Sequence, residues 1–259
     1  MKVDLHNHTT LCNHASGTID SYIQEAIKKG IKYYGFSDHA PMDFEPQYRM
    51  SFKQMKGYEQ DIKQAKEKYK DKCEILLGYE VDYLQGHVDD RVLNADVDYL
   101  IGSVHFIDKW GFDNPEFIGK YADKDIDEIW QEYFDTVEEM VSTKLFDIVG
   151  HIDLIKIFKY MPKKNISSLA IKTLKAIKKA DMVIELNSAG FRKPIGEAYP
   201  SLDILKEAYK LGIKITFGSD AHAPEQVLQN YEKILNMAKS VGYTQCVIFR
   251  KRKKFLVDI

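Results

Sequence analysis

The sequence has few cysteines, no long apolar run and almost no net charge. Its three cysteines, Cys12, Cys73 and Cys246, are odd in number and widely separated, which does not indicate a disulfide framework. No run approaches the ~18 apolar residues of a membrane span, and the start of the chain lacks the basic and apolar segments of a secretory signal. A formal net charge of −2 argues against a surface built throughout for nucleic acid. We therefore expect a cytoplasmic protein without a membrane or nucleic-acid partner.

Short apolar, β-branched runs alternate with amphipathic helical segments along the chain. The runs predicted as strands are Val3–His8, Tyr33–Asp38, Glu74–Glu80, Tyr99–His105, Asp147–His151, Val183–Asn187 and Lys214–Asp220. Between them, apolar residues recur at helical spacing, as in TIDSYIQEAIKKG, which ends at a glycine. This alternation predicts an α/β protein with a parallel sheet, either a closed (β/α)7 TIM-like barrel or a doubly wound open sheet. No linker or repeat interrupts it, so residues 1–259 are predicted to form a single domain.

Seven of the eight histidines lie at or just beyond the carboxyl end of a predicted strand. The exception is His87, which we interpret as an ordinary loop residue. In a parallel barrel the carboxyl ends of the strands form one rim, where active sites are built. Together with two carboxylates, the residues predicted on this rim are His6, His8, His14, His39, Glu80, His105, His151, Asp220 and His222.

These nine side chains predict a metal site. One histidine at a strand end is commonly just a polar loop residue, so the prediction depends on the whole set. A catalytic zinc takes about three protein ligands, so nine candidates indicate two or three ions. Imidazole and carboxylate without thiolate suit Zn, Mn or Fe. Asp4 and Asp38 neighbour the ligands, and we expect them to orient imidazole rings rather than bind metal.

The motifs DLHNH, SDH, SVH, GHID and GSDAH, with the strand-end Glu80, resemble those of the polymerase and histidinol phosphatase (PHP) superfamily along essentially the whole chain. The resemblance implies the PHP fold, a distorted seven-stranded (β/α) barrel with a trinuclear site. Within the superfamily, SVHFIDKWGFDNPE and ELNSAGFRKPIGEAYPS are similar to loops of the histidinol-phosphatase branch.

Carried over position by position, the resemblance also implies three metal sub-sites. Their ligands are His6, His8, Glu80 and Asp220 for the first ion, Glu80, His105 and His151 for the second, and His14, His39 and His222 for the third. No ligand position of the family is empty in this chain, so nothing indicates an inactive site.

The charge of such a site favours a phosphomonoester. Three divalent ions, two carboxylates and a bridging hydroxide sum to about +3, which attracts an anion of charge about −2. The hypothesis is a metal-dependent phosphatase that hydrolyses L-histidinol phosphate, a step of histidine biosynthesis, by in-line attack of a hydroxide between the first two ions. The predicted catalytic residues are Glu80, Asp220, His222 and Asp38, and the proton donor to the leaving group is left open among Asp38, His222 and a water.

Further residues are predicted to contact substrate. His14 and His39 would hold the phosphate together with the third ion. Arg192, in the SAGFRK loop, could add a bidentate contact or be a plain surface cation, and Lys156 is a weaker candidate. In the loop APMDFEPQYRM, Asp43 and Glu45 could meet a cationic amine.

The C-terminal tail keeps another function open. It is predicted to form a strand, a basic turn and a short return strand, with five consecutive cations from Arg250 to Lys254. Such a run is either a solvated turn or a nucleic-acid contact. The alternative function is therefore a PHP phosphoesterase acting on another phosphomonoester or on nucleic-acid 5′ ends.

Two further classes of protein are disfavoured by the metal ligands. The ligand set of the third ion argues against a C–N hydrolase on a similar barrel. The open ligand set argues against a regulatory metal-binding protein without turnover. The native metal and the oligomeric state stay undetermined.

Overall fold

Strands and helices alternate along the chain, as predicted. The computed structural model describes all 259 residues. The strands are β1 (Lys2–Asp4), β2 (Ile31–Phe36), β3 (Glu74–Asp82), β4 (Tyr99–Ser103), β5 (Phe106–Ile107), β6 (Trp110–Gly111), β7 (Ile148–Val149), β8 (Val183–Asn187), β9 (Ile215–Gly218), β10 (Gln245–Arg250) and β11 (Lys253–Asp258). The helices are α1 (Ile19–Lys28), α2 (Met55–Tyr69), α3 (Asp90–Leu93), α4 (Ile126–Thr143), α5 (Ile166–Ala180), α6 (Leu202–Lys210) and α7 (Tyr231–Val241).

Seven strands form one parallel sheet in the order β1-β2-β3-β4-β7-β8-β9. Its two edge strands also meet, because Leu5 N–H donates to Phe217 O at 2.8 Å and Asp220 N–H donates to His6 O at 2.7 Å. The sheet is thus a nearly closed seven-stranded barrel surrounded by helices. The predicted (β/α)7 barrel is confirmed, and the doubly wound open sheet is wrong.

Each of the seven predicted strands is present, although several are shorter than predicted. β1 ends at Asp4, whereas the apolar pattern placed its end at His8. Beyond Asp4 the backbone leaves the regular ladder and pairs with residues that follow β9, as in the bridge between Asn7 and Ala221. The first two rim histidines therefore lie on a segment that closes the barrel.

Tyr99 extends from β4 across the neighbouring β3 and β2 to the segment that follows β1. Its ring is fully buried, and its hydroxyl donates to Leu5 O at 2.6 Å. β2 and β3 leave room for this ring with glycines, since a Cβ on Gly78 would lie 2.5 Å from a ring carbon and one on Gly35 would overlap the hydroxyl. Overpacking a core in this way costs about 1–3 kcal/mol, so the two glycines and the tyrosine depend on one another.

The helices bury their apolar sides against the barrel. In α4 the buried residues recur at helical spacing, with Trp130, Phe134 and Val137 among them. Buried apolar side chains form one cluster of 74 residues with a satellite of three, so one core spans the chain from β1 to β11. The single-domain division of residues 1–259 stays a prediction. No helix combines the length and apolar character that crossing a membrane requires.

The C-terminal strands form the predicted hairpin, in which β10 and β11 pair antiparallel. Three of its five consecutive cations are held by carboxylates that begin or precede barrel strands: Arg250 by Glu74, Arg252 by Asp147 and Lys254 by Asp181. These carboxylates lie at the amino ends of the strands. The basic run therefore contacts the end of the barrel opposite the histidine rim, and its ion pairs give three of the five cations a structural role.

Candidate metal centre

The predicted ligands converge at the carboxyl end of the barrel around a cavity of about 520 Å³. Two of them, His6 and His8, lie below the cavity with no exposed surface. The others line it: His14, His39, Glu80, His105, His151, Asp220 and His222. A cavity of this size suits a small molecule, because ligand pockets commonly measure about 300–1,000 Å³.

The ligands lie near the carboxyl ends of strands or in the loops that follow them. His6 and His8 are two residues apart on an extended segment and so face the same side, while Glu80 lies within β3. Asp220 adopts a left-handed backbone with φ of +50°. Such a conformation costs a non-glycine residue about 1–3 kcal/mol. Here it is held by the hydrogen bond from Asp220 N–H to the His6 carbonyl oxygen.

The side chains form three groups whose potential ligand atoms lie within 4.8 Å of one another. The groups are His6, His8 and Glu80; Glu80, His105 and His151; and His14, His39 and His222. Asp220 adjoins the first group, with Oδ1 3.2 Å from His8 Nε2. Glu80 belongs to two groups, which is the position of a bridging ligand. The clusters could therefore hold several metal ions.

Most of the imidazole rings point Nδ1 at an acceptor. The pairs are His6 with Glu185 at 2.7 Å, His14 with the Cys12 carbonyl at 2.8 Å, His105 with Asp82 at 2.8 Å, His222 with the Asp220 carbonyl at 3.1 Å and His8 with Asp38 at 3.3 Å. Carbonyls and ionised carboxylates only accept, so Nδ1 carries a proton in each of these rings and Nε2 is the nitrogen available to a metal.

Buried atoms without partners show that a metal fits this site. The Nε2 atoms of His6 and His8 are buried and make no hydrogen bond within the protein. An unpaired buried polar atom costs about 1–3 kcal/mol. A divalent ion would satisfy both lone pairs, and a donor set of imidazole and carboxylate suits Zn, Mn or Fe.

Neighbouring charges shift the pKa values of the ionisable groups in the site. Burial raises the pKa of Glu80, but the neighbouring charges of His6 and His39 and a hydrogen bond from His151 outweigh it and hold that pKa well below its usual range. Burial lowers the pKa of His105, yet the Asp82 carboxylate beside it raises it to about 10. In the metal-free site, protons on such imidazoles compete with metal, so metal binding releases protons.

Comparison with known proteins agrees with this geometry. The family model described as PHP domain matches residues 4–189, which is most of the chain. The chain belongs to the PHP family.

Relatives of this PHP chain match it over nearly its whole length. A Deinococcus radiodurans protein named "Probable histidinol-phosphatase" is 36% identical over 255 residues, covering 96% of this chain and 97% of that protein. The histidinol-phosphatase of Bacillus subtilis is 32% identical, covering 90% and 98%. A crystal structure of Lactococcus lactis histidinol phosphate phosphatase, complexed with Zn, L-histidinol and phosphate, superposes with a TM-score of 0.81 at 23% identity, with 98% of both chains covered. At that identity the superposition supports the fold.

Arg192 of the PHP chain lies where the sequence suggested, on the wall of the cavity. Its Nη2 donates to Ser219 O at 2.7 Å and to Asp220 O at 2.9 Å, while its buried Nη1 has no partner. Both fork edges of a guanidinium include Nη2, so in this conformation neither edge is free and Nη1 is the buried nitrogen left without a partner.

Asp38 is fully buried behind His8 and does not line the cavity. Its Oδ1 accepts from His39 N–H at 2.8 Å, and its Oδ2 accepts from Thr9 N–H at 3.1 Å. This placement fits an orienting role toward His8 and gives Asp38 no route to a leaving group. Asp4 differs from expectation, because it bonds Ser219 and Asn7 rather than an imidazole ring.

Lys156 does not reach the cavity. It is fully buried, and Nζ lies 2.8 Å from Asp153 Oδ2 and 2.7 Å from the Ala198 carbonyl oxygen to which it donates. A buried lysine paired in this way joins two loops and leaves no charge for a phosphate.

The two acidic residues proposed to contact a cationic amine lie in the loop after β2, but only one of them lines the cavity. Glu45 lines the cavity, whereas Asp43 is exposed and lies 2.7 Å from His87. His87 stands outside the site, as predicted. The amine contact suggested from the sequence is therefore available to Glu45 alone.

Four residues of the site were not anticipated from the sequence. Asp82 Oδ2 lies 2.8 Å from Arg49 Nη1, and both side chains line the cavity. The buried Cys12 forms a further group with His8 and His222, so a thiol lies near the third sub-site. Glu185 is buried in the middle of β8. A usable signal existed for the carboxylates, since a charge inside an apolar strand run must be paired when it is buried.

Proposed function

We propose that this PHP protein is a metal-dependent histidinol-phosphatase, a phosphoric monoester hydrolase that converts L-histidinol phosphate to L-histidinol and phosphate. One observation carries the proposal. Three groups of candidate ligands converge on one cavity, in a chain that matches proteins named histidinol-phosphatase over almost its whole length.

In this proposal the three groups hold two to three divalent transition ions. The ligands are His6, His8, Glu80 and Asp220 for the first ion, Glu80, His105 and His151 for the second, and His14, His39 and His222 for the third. Bound ions would supply positive charge to the phosphoryl group and lower the pKa of a water that serves as nucleophile.

The chain's own residues prepare the site for that chemistry. Asp38, Asp82 and Glu185 each hold a proton on Nδ1 of an imidazole, so Nε2 is the nitrogen that each ring offers to a metal. Ser103 Oγ donates to Glu80 Oε1 at 2.7 Å, which leaves Oε2 facing His6, His8 and His39. The bridging carboxylate is thereby held in one orientation.

Arg192 would bind the substrate phosphate through Nη1, because its Nη2 is already occupied by two backbone carbonyls. His14 and His39 lie on the same cavity and would hold the phosphate through the third ion. Glu45 would meet the ammonium group of histidinol, and the apolar side chains of Phe106 and Leu154 offer contact area for its ring. The proton for the leaving alkoxide is then left to His222 or a water.

The partner is proposed to be a small phosphomonoester rather than nucleic acid. The only sequence feature that favoured nucleic acid, the basic run of the hairpin, has three of its five cations held by carboxylates at the opposite end of the barrel. We also propose a cytoplasmic location, supported by three free, buried cysteines.

A phosphate-release panel tests the function. The metal-loaded protein is assayed with L-histidinol phosphate, with other small phosphomonoesters and with a 5′-phosphorylated oligonucleotide, each with and without prior chelation. We expect the highest kcat/KM for histidinol phosphate and loss of activity on chelation. A clear preference for the oligonucleotide or for another monoester would contradict the proposal.

A further inference from the structure

Glu185 is a buried carboxylate on β8, the one strand of the barrel to which no metal ligand was assigned. Its side chain is 1% exposed, and it belongs to none of the ligand groups. Oε1 lies 2.7 Å from His6 Nδ1, and Oε2 accepts the backbone N–H of His151 at 2.9 Å. One side chain therefore contacts residues of two different ligand groups.

Glu185 is the acceptor in both hydrogen bonds, which restricts the side chains that could replace it. The bond to Oε1 keeps the proton of His6 on Nδ1 and leaves the buried, unpartnered Nε2 as a lone pair for metal. The bond to Oε2 fixes the backbone from which the His151 ring projects. An ionised carboxylate offers two acceptor oxygens to two donors, which no neutral side chain of that shape can do.

The neighbouring strand leaves space for this arrangement. Gly218 ends β9 beside Glu185, and a Cβ at this position would overlap Glu185 Oε1 and lie 2.7 Å from His6 Cβ. The backbone of Gly218 is not in the left-handed region, so its conformation alone does not require glycine. Glycine is needed because the Glu185 side chain lies where a Cβ would be. Glu185, His6 and Gly218 thus form one packed unit beneath the site.

We propose that Glu185 is a positioning residue that sets the metal affinity of the first and second sub-sites together. The inference rests on the proposed metal-dependent function but concerns metal binding alone. Carboxylates that hold a metal-bound imidazole typically change metal affinity by about 10- to 100-fold. Because Glu185 holds one ligand from each of two groups, its loss should weaken two binding steps instead of one.

The test is zinc binding by Glu185→Gln. Glutamine keeps the shape but offers one oxygen and one NH2 group, so either His6 Nδ1–H or His151 N–H must face a donor. Metal-free protein is equilibrated across a series of buffered free-zinc concentrations, and bound zinc per chain is measured by elemental analysis. We expect two binding steps to shift by about 10- to 100-fold toward higher free zinc.

Glu74→Gln is the matched control. It makes the same chemical change in a carboxylate that is paired with Arg250 at the opposite end of the barrel. We expect it to alter stability without altering zinc affinity. Zinc affinity of Glu185→Gln within about threefold of wild type at both steps would overturn the inference.

Two further measurements separate positioning from folding. Denaturant unfolding of both variants in chelator shows how far each change destabilises the metal-free fold. Should Glu185→Gln not fold, Glu185→Asp replaces it, since the shorter carboxylate keeps the charge but cannot reach both donors. Weakened zinc binding by that variant supports the inference, and wild-type binding overturns it. Failure of the proposed function would instead show as normal zinc loading without hydrolysis of histidinol phosphate.

Discussion

Replacement of Arg192 by alanine probes how the site holds phosphate. Nη2 of Arg192 is occupied by the carbonyls of Ser219 and Asp220, and only Nη1 is buried without a partner. The variant would thus remove the charge-assisted contact to phosphate that the proposed function assigns to Arg192. Such a contact is worth about 1.5–3 kcal/mol, which corresponds to a fall in kcat/KM of roughly 10- to 150-fold.

The assay is phosphate release from L-histidinol phosphate at saturating zinc, with zinc per chain measured on the same samples. Zinc content should not change, because Arg192 is not a ligand. Arg192→Lys should recover part of the loss, since it restores the charge but not the two carbonyl bonds.

The control is Arg91→Ala, which makes the same chemical change in an exposed guanidinium that pairs with Asp89 and does not line the cavity. It should change kcat/KM by less than about threefold, as expected for an exposed charge. Unaltered kcat/KM in Arg192→Ala, or an equal loss in Arg91→Ala, would refute the reasoning and leave phosphate binding to the ions.

Two other predictions follow from the assigned roles. Glu80→Gln should lower kcat more than His14→Ala does, because Glu80 belongs to two ligand groups and His14 to one; the opposite ranking in steady-state kinetics would mean that Glu80 is not the bridging ligand. Lys156→Ala leaves Asp153 buried and unpaired and should lower the free energy of unfolding by about 3–5 kcal/mol in a denaturant titration; loss of substrate affinity without loss of stability would restore Lys156 as a phosphate ligand.

The fold was largely predictable because the periodicity of apolar residues differs between strands and helices. The alternation of short β-branched runs with amphipathic segments determined the order of strands and helices, and the carboxyl ends of parallel strands must share a rim. The lengths were less predictable: β1 ends at Asp4 because closure of the barrel, a long-range interaction, recruits the residues that follow it.

The candidate site was predictable where strand ends alone determine position. All nine ligand candidates lie near the carboxyl end of a strand or in the loop that follows it, so topology brings them together. Side-chain direction was not predictable in the loops. Glu45 and Asp43 are two residues apart, yet one lines the cavity and the other bonds His87. Lys156 likewise belongs to a rim loop, but its charge is directed into a buried ion pair.

The supporting carboxylates were missed for a different reason. Glu185 lies inside a strand run whose neighbours are apolar, so it looks like a member of the sheet. Asp82 is the last residue of β3 and lies two positions beyond the predicted end of that strand. Their partners are distant in sequence, with His6 lying 179 positions from Glu185. Only the physical cost of burying an unpaired charge indicates that such partners exist.

In the proposed function, hydrolysis of histidinol phosphate requires several ions held by these groups. A zinc titration tests this requirement: the protein is stripped of metal, zinc is added in steps, and phosphate release from L-histidinol phosphate is recorded against bound zinc per chain. The proposed site predicts no activity without zinc and full activity only when two to three ions are bound, as the three ligand groups require. Full activity with one ion or none would contradict it.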